Sequence, residues 1–411
     1  MKVLRLIGSM DPLTGGPCQG IRNSIAALTT LGVYNEVVCL DAPNANYLGA
    51  DPFPIHTLGP SKSPWHYSAK LLPWLLEQLP KFDVLIVHGL WLYPSYAARQ
   101  AQQKLKQQRI KNQDLKIPCL FIMPHGMLDP WFQEAKTRQL KAIRNWFYWK
   151  LIEHKVVRDA DGLLFTSETE LQMARLPFKP YQPKQEVNVG YGIQEPPAYS
   201  QSMKEAFRAH HPDSNKTPYL LFISRIHEKK GVDLLLKAYA GIVEQQPQRN
   251  FPNLVIAGPG LDTHFGEKLH QFASETPCLQ QRVFFTGMLT GLAKWGAFYG
   301  CEAFVLPSHQ ENFGIAVAEA MACGKPVLIS NRVNIWREIE SGGGGLVTDN
   351  ILEGVEKLLL NWFNLDTQNR EVMGKQARQI FSTNYAVAPA AIRFKSAFSW
   401  QGTTLDKIPI D

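Results

Sequence analysis

The chain reads as an α/β protein of two Rossmann-like, doubly wound domains facing each other across a cleft. Three observations predict it. At 411 residues the chain is longer than one ordinary hydrophobic core supports. Short apolar runs that end on Gly, Ser or His recur along its whole length. Helical patterns separate them, and strands alternating with helices make parallel sheets.

In the N-terminal half the runs are "KVLRLIG", "VLIVHG", "LFIMPHG", "GLLFTS" and "VNVGYG"; in the C-terminal half they are "YLLFISR", "LVIAGPG", "VFFTG", "FVLPS" and "PVLIS". Most lack polar alternation, as strands buried on both faces do. Between the halves, "QEPPAYSQSMKEAFRAHHPDSNKTP" is rich in Pro, Ser and Asn. This places an N-terminal domain at 1–195, a second domain at 196–385 and a tail at 386–411 that packs back on the first.

Composition is that of a soluble globular protein, 45% apolar and 19% charged. The net charge of +7 is too mild to argue for nucleic acid. Six cysteines at wide, irregular intervals include no C-x-x-C pair, so free thiols in a reducing compartment are expected. Arg5 interrupts the only apolar run near the start, and no apolar stretch is long enough to span a bilayer. The expected location is the cytoplasm, at most peripheral to the inner membrane surface.

The stretch "HQENFGIAVAEAMACGKPVLIS" carries two carboxylates, Glu311 and Glu319, around an apolar helix opened by Gly314. A carboxylate inside such a helix costs several kcal/mol or so unless something pairs with it. One glutamate of this kind is usually a surface or capping residue; two around a glycine-opened helix ask for a ligand. The helix N-terminus between them favours phosphate. The order carboxylate, anion cradle, carboxylate matches sugar hydroxyls, diphosphate and ribose hydroxyls of a nucleotide sugar. In "YLLFISRIHEKKGVDLLLKAY", Arg225 and Lys230 follow a strand's carboxyl end, where they can face that diphosphate.

"SRIHEKKG" followed by "PSHQENFGIAVAEAMACGKPV" resembles the retaining glycosyltransferases of family 4, which have the GT-B fold. The family's R-x4-K pair matches Arg225 and Lys230, and its E-x7-E motif matches Glu311 and Glu319. The resemblance implies that Arg225 and Lys230 stabilise the departing diphosphate, Glu311 contacts the donor sugar and Glu319 the ribose. Asn312, Phe313, Gly314 and Ile315 would complete the donor contacts. In the N-terminal half, "LTGGPCQGIRNSI" matches the loop where donor and acceptor meet. Gly16 then lies near the donor, while Gly15, Arg22 in the first helical turn, and His88 are assigned to the acceptor. His125 matches the family's active-site histidine, which positions the donor sugar.

The resemblance, closest to exopolysaccharide and sucrose-phosphate-synthase types, implies transfer from a nucleoside-diphosphate sugar such as UDP-glucose, with retention of configuration. The acceptor is a sugar phosphate such as fructose 6-phosphate, or a growing polysaccharide or glycolipid. No cofactor or metal is expected; Asp159 and Asp161 precede their strand, at the end away from the ligand. A sugar-nucleotide epimerase or a non-catalytic sugar-nucleotide-binding protein remains the alternative.

From Lys136 to Arg158 the sequence has seven basic residues and one acid, with Trp146, Phe147, Tyr148 and Trp149 among them. Leu140, Ile143, Phe147 and Leu151 recur at helical spacing and are expected to face the core, leaving a solvated basic face. Weak peripheral contact with an anionic membrane, or binding of a phosphorylated acceptor, is the other reading.

Overall fold

The computed structural model describes residues 1–135, 138–211 and 217–398. Lys136, part of the linker and the end of the tail from 399 onward lie outside the described residues. The chain divides into two units: Met1–Gly192 with the C-terminal segment beginning at Val387, and Ile193–Ala386.

Unit 1 contains strands β1 (Lys2–Ile7), β2 (Tyr34–Cys39), β3 (Ile55–Thr57), β4 (Val84–His88), β5 (Cys119–Met123), β6 (Gly162–Phe165) and β7 (Glu186–Asn188). They form one sheet in the order β3-β2-β1-β4-β5-β6-β7, and every pairing is parallel. Val3, Leu4, Leu6, Ile86, Val87, Leu120 and Ile122 are fully buried, because helices cover both faces. The helix Val387–Ser396 packs beside the helix Gly16–Thr30 and sets Phe394 under the Arg5 guanidinium, 4.7 Å from the ring centre.

Unit 2 contains β8 (Tyr219–Ile223), β9 (Asn253–Ala257), β10 (Val283–Gly287), β11 (Ala303–Leu306), β12 (Val327–Ser330) and β13 (Gly345–Thr348). Their order is β10-β9-β8-β11-β12-β13, again parallel throughout. In both sheets the strand order reverses beside the first strand, between β1 and β4 and between β8 and β11. Loops at the carboxyl ends of those strands form the crevice where open α/β sheets bind ligands. In each unit the expected doubly wound, Rossmann-like sheet is therefore the observed one. The sequence reading passed over β2, β3 and β13: "YNEVVC" mixes polar with apolar residues, "IHT" is very short, and "GLVT" emerges from a glycine run.

One expected orientation is corrected. In the helix Gln139–Tyr148 and the π-helical turn Trp149–Glu153 that follows, the buried residues are Asn145, Trp149 and Glu153. Leu140, Ile143, Phe147 and Leu151 point outward, 55–85% exposed. The cause is Trp149, whose indole stacks on Phe178 at 4.9 Å and donates to the Pro180 carbonyl at 3.0 Å. Burying that one large ring turns the four-residue stripe away from the core.

The same turn buries Glu153 completely, 3.4 Å from the Ser95 hydroxyl. Burial pushes its carboxyl up to about 8, against smaller opposing hydrogen bonds from Ser95 and the Trp91 backbone. The folded chain therefore keeps Glu153 protonated at pH 7, whereas the unfolded chain ionises it. Stability is lost as pH rises from about 4.5 toward 8. Glu153→Gln, neutral and of the same shape, should stabilise the protein by about 2–3 kcal/mol at pH 7 and by little at pH 4. Thermal melts at the two pH values check this. Equal destabilisation at both would mean that the carboxyl group itself is required.

Candidate nucleotide-sugar site

In unit 2 the loops after β8 and β11, neighbours at the order reversal, carry the charged residues singled out in the sequence. The β8 loop ends in the short 3-10 turn Glu228–Lys230, and Gly231 then caps the helix Val232–Gln245. Gly231 adopts left-handed geometry, φ 66°, and a Cβ there would sit 2.1 Å from the Pro307 carbonyl oxygen. Only glycine lets the two loops approach so closely. The His309 amide also donates to the Lys229 carbonyl at 2.8 Å. As a result Lys230, 8% exposed, directs its ammonium onto the Glu311 carboxylate. Arg225 is exposed and Lys229 half-buried.

Glu311 is held at its backbone. Its amide donates to the Arg332 carbonyl at 2.9 Å, and its own carbonyl accepts from Asn334 at 3.0 Å. Asn312 and the buried Phe313 follow, with Phe313 edge-on to Tyr385 at 5.4 Å. Gly314, at φ 83°, is the N-cap of the helix Ile315–Ala322. The helix opens at Gly314 as expected, with Ile315 in its first turn and its amide end beside Glu311. Such an end attracts anions.

Glu319 lies one turn further in and answers the question of what its charge rests on. Lys294 Nζ contacts Glu319 Oε1 at 2.6 Å. Burial raises the Glu319 pKa, and the Lys294 charge and hydrogen bond pull it back. A carboxylate has room for about four hydrogen bonds, so one lysine leaves acceptor capacity. The sequence reading missed Lys294, although it is the lone charge in the otherwise apolar helix "GLAKWGAFYG", Gly291–Gly300. A solitary lysine on an apolar helix was the available signal.

In unit 1, Gly15 is the N-cap and Gly16 the first residue of the helix Gly16–Thr30, and the Tyr191 hydroxyl donates to the Gly16 carbonyl at 2.5 Å. Arg22 is in the second helical turn, not the first. Its guanidinium forms a two-pronged pair with Asp51 at 2.8 and 3.0 Å, which fixes the side chain in place. His88 and His125, at the ends of β4 and just beyond β5, share a hydrogen bond of 2.9 Å between Nδ1 and Nε2. His125 is half-buried, and burial, helped by the Arg5 charge, lowers its pKa to about 3. His88 is lowered in the same direction, first by burial. Both shifts favour the neutral rings.

The loop holding His125, which has φ 53°, is tied down by Glu170. That carboxylate accepts from the Gly126 amide at 2.5 Å and from the Thr166 amide and hydroxyl at 2.8 and 2.6 Å. Glu170 was missed too, although Ser167 and Glu170 stand at capping-box spacing. Asp159 pairs with Arg99 and Arg158, and Asp161 with Lys184, so both aspartates serve ion pairs at the amino side of β6.

Comparison with known proteins identifies the family. A family model described as a glycosyl transferase 4-like domain matches residues 15–188, and one described as glycosyl transferases group 1 matches residues 203–380. A D-inositol 3-phosphate glycosyltransferase of Thermomonospora curvata is 32% identical over 143 residues, covering 32% of this chain and 31% of that one. The chain spans only 31–42% of the length of the first curated relatives it matches. Among solved structures, Anabaena HepE in complex with UDP superposes with a TM-score of 0.72 at 18% identity, covering 97% of this chain and 100% of that one. A sucrose-phosphate synthase from Thermosynechococcus elongatus gives 0.69 at 19% identity, over 97% and 98%. The two matched domains, with the fold shared by these solved structures, place this chain in glycosyltransferase family 4 with the GT-B fold.

Proposed function

We propose that the protein transfers a hexose from a nucleoside-diphosphate sugar, UDP-glucose or a close relative, to an acceptor hydroxyl with retention of anomeric configuration. The observation that carries this reading is the pairing of Lys230 with Glu311 beside the helix that bears Glu319. Arg225, Lys230 and the helix amides hold the diphosphate, Glu311 the transferred sugar and Glu319 the ribose. The bond from the anomeric carbon to the β-phosphate oxygen breaks while the acceptor oxygen bonds to that carbon. The acceptor proton passes to the departing phosphate oxygen. Catalysis then rests on positioning and on stabilising diphosphate charge, with no divalent ion taking part. The acceptor side is assigned to Gly15, Arg22 and His88 of unit 1, with His125 ordering the donor sugar. The acceptor itself is a sugar phosphate or a growing glycan or glycolipid. A uridine carrier is consistent with the UDP bound in the Anabaena neighbour.

Purified protein incubated with a panel of nucleotide sugars should release nucleoside diphosphate only when an acceptor is added. Acceptor-independent turnover of the sugar nucleotide would favour epimerisation, and none under any condition would favour a binding protein. Excess EDTA should leave turnover nearly unchanged; loss that magnesium or manganese restores would defeat the metal-free reading.

Arg225→Ala and Lys230→Ala should each lower kcat by about 10²-fold or more, the scale for removing a preorganised charge stabiliser. Lys229→Ala should matter far less, and equal losses at all three positions would contradict the assignment.

The glutamates should fail differently under calorimetry with nucleoside diphosphate. Glu319→Gln should weaken binding, because charge-assisted contacts are roughly twice as strong as neutral ones. Glu311→Gln should spare or tighten it, since Lys230 loses its internal partner, while turnover falls. Lys294→Met should make binding fall as pH drops, at a higher pH than in the parent, because Glu319 loses the charge that opposes its protonation. A pH-independent Lys294→Met variant would show that Lys294 only packs.

A further inference from the structure

The outward face of Gln139–Asp159 is left unexplained by glycosyl transfer. Leu140, Ile143, Trp146, Phe147 and Leu151 are 85, 57, 48, 55 and 66% exposed, so five large apolar side chains of this run face water. Isolated exposed leucines are ordinary, whereas five large apolar side chains on one surface helix mark a binding face. The helix cannot turn them inward, because Trp149 and Val156 are fully buried on its other side.

Cations interleave the patch. Lys141, Arg144 and Lys150 are exposed and form no ion pair with a described residue, and Lys150 lies 5.7 Å above the Trp146 ring. Across 138–158 there are six Lys or Arg and one acid, the buried Glu153. A second copy of the chain docking on this face by two-fold symmetry would bring like charges together. An apolar, aromatic-bearing surface ringed by unpaired cations is complementary instead to a surface that is both apolar and anionic.

We propose that the outward face of Gln139–Asp159 is a docking surface for an anionic lipid bilayer. The run of 21 residues lies along the interface, with Trp146, Phe147 and their aliphatic neighbours among the acyl chains and Lys141, Arg144 and Lys150 at the headgroups. At 1.5 Å per residue it covers roughly 30 Å of membrane surface. Among the described residues no helix is long and apolar enough to cross a membrane, so the contact proposed is interfacial. Docking here favours a lipid-borne acceptor over a freely diffusing sugar phosphate. The surface does not depend on the transfer reaction.

Sedimentation of the full chain with phosphatidylcholine vesicles, with and without phosphatidylglycerol, tests it with no substrate present. Binding should require the anionic lipid and weaken at least about tenfold from low to high salt. Combined Lys141→Ser, Arg144→Ser and Lys150→Ser should lower partitioning by about 100-fold, given roughly fivefold per basic residue near an anionic surface. Trp146→Ser with Phe147→Ser should weaken binding while leaving its salt dependence. All five side chains are exposed, so melting temperatures should match the parent and show that the variants fold. Absence of binding to anionic vesicles would overturn the proposal, as would binding that both sets of variants leave unchanged. A solution dimer dissociated by the Trp146/Phe147 variant, without vesicle binding, would assign the face to a second copy and also overturn it.

Discussion

The contact on which unit 2's charged site depends is the close approach of the β8 and β11 loops at Gly231 and Pro307. With any side chain at position 231 the loops would separate, and the Lys230 ammonium could not reach the Glu311 carboxylate. The buried Lys230 ammonium needs this partner, because removing it strands a desolvated ion. The backbone is therefore arranged first, by a left-handed glycine and the His309–Lys229 hydrogen bond, and the charges follow. That order of causes is how a fold holds donors and acceptors in place before any ligand arrives.

The same logic recurs at the second glutamate. Burial raises the Glu319 pKa and Lys294 opposes that shift, so the lysine favours the charged carboxylate. Unit 1 works differently. Its two conspicuous histidines are neutral and bound to each other, its arginine at position 22 is committed to Asp51, and its loop geometry is held by Glu170. One unit supplies paired charge, the other oriented neutral donors and acceptors.

The helix around Trp149 shows how one side chain can decide the direction of a surface. Periodicity alone favours the stripe Leu140, Ile143, Phe147 and Leu151 as the buried one. The indole of Trp149, stacked on Phe178, outweighs it, and the π-helical turn that follows carries Glu153 into the core beside it. What is left outside is apolar and cationic together, and that combination gives the surface its own chemistry.

The sequence by itself determined the fold class, because buried parallel strands and intervening helices leave a local signature of unbroken apolar runs. It also determined the identity of the charged residues around the β8 and β11 loops, since a glycine-opened helix flanked by carboxylates is a local pattern. The short or mixed strands β2, β3 and β13 were not legible, because their pairing with long neighbours defines them. Partners were decided only by the tertiary structure. Lys294 meets Glu319, Asp51 meets Arg22 and Glu170 meets Gly126 across separations that no local pattern encodes. The outward turn of the amphipathic helix belongs with these. Which face is buried depends on the cavity a large ring fills, and Phe178 and Pro180, which line it for Trp149, are brought there by the fold.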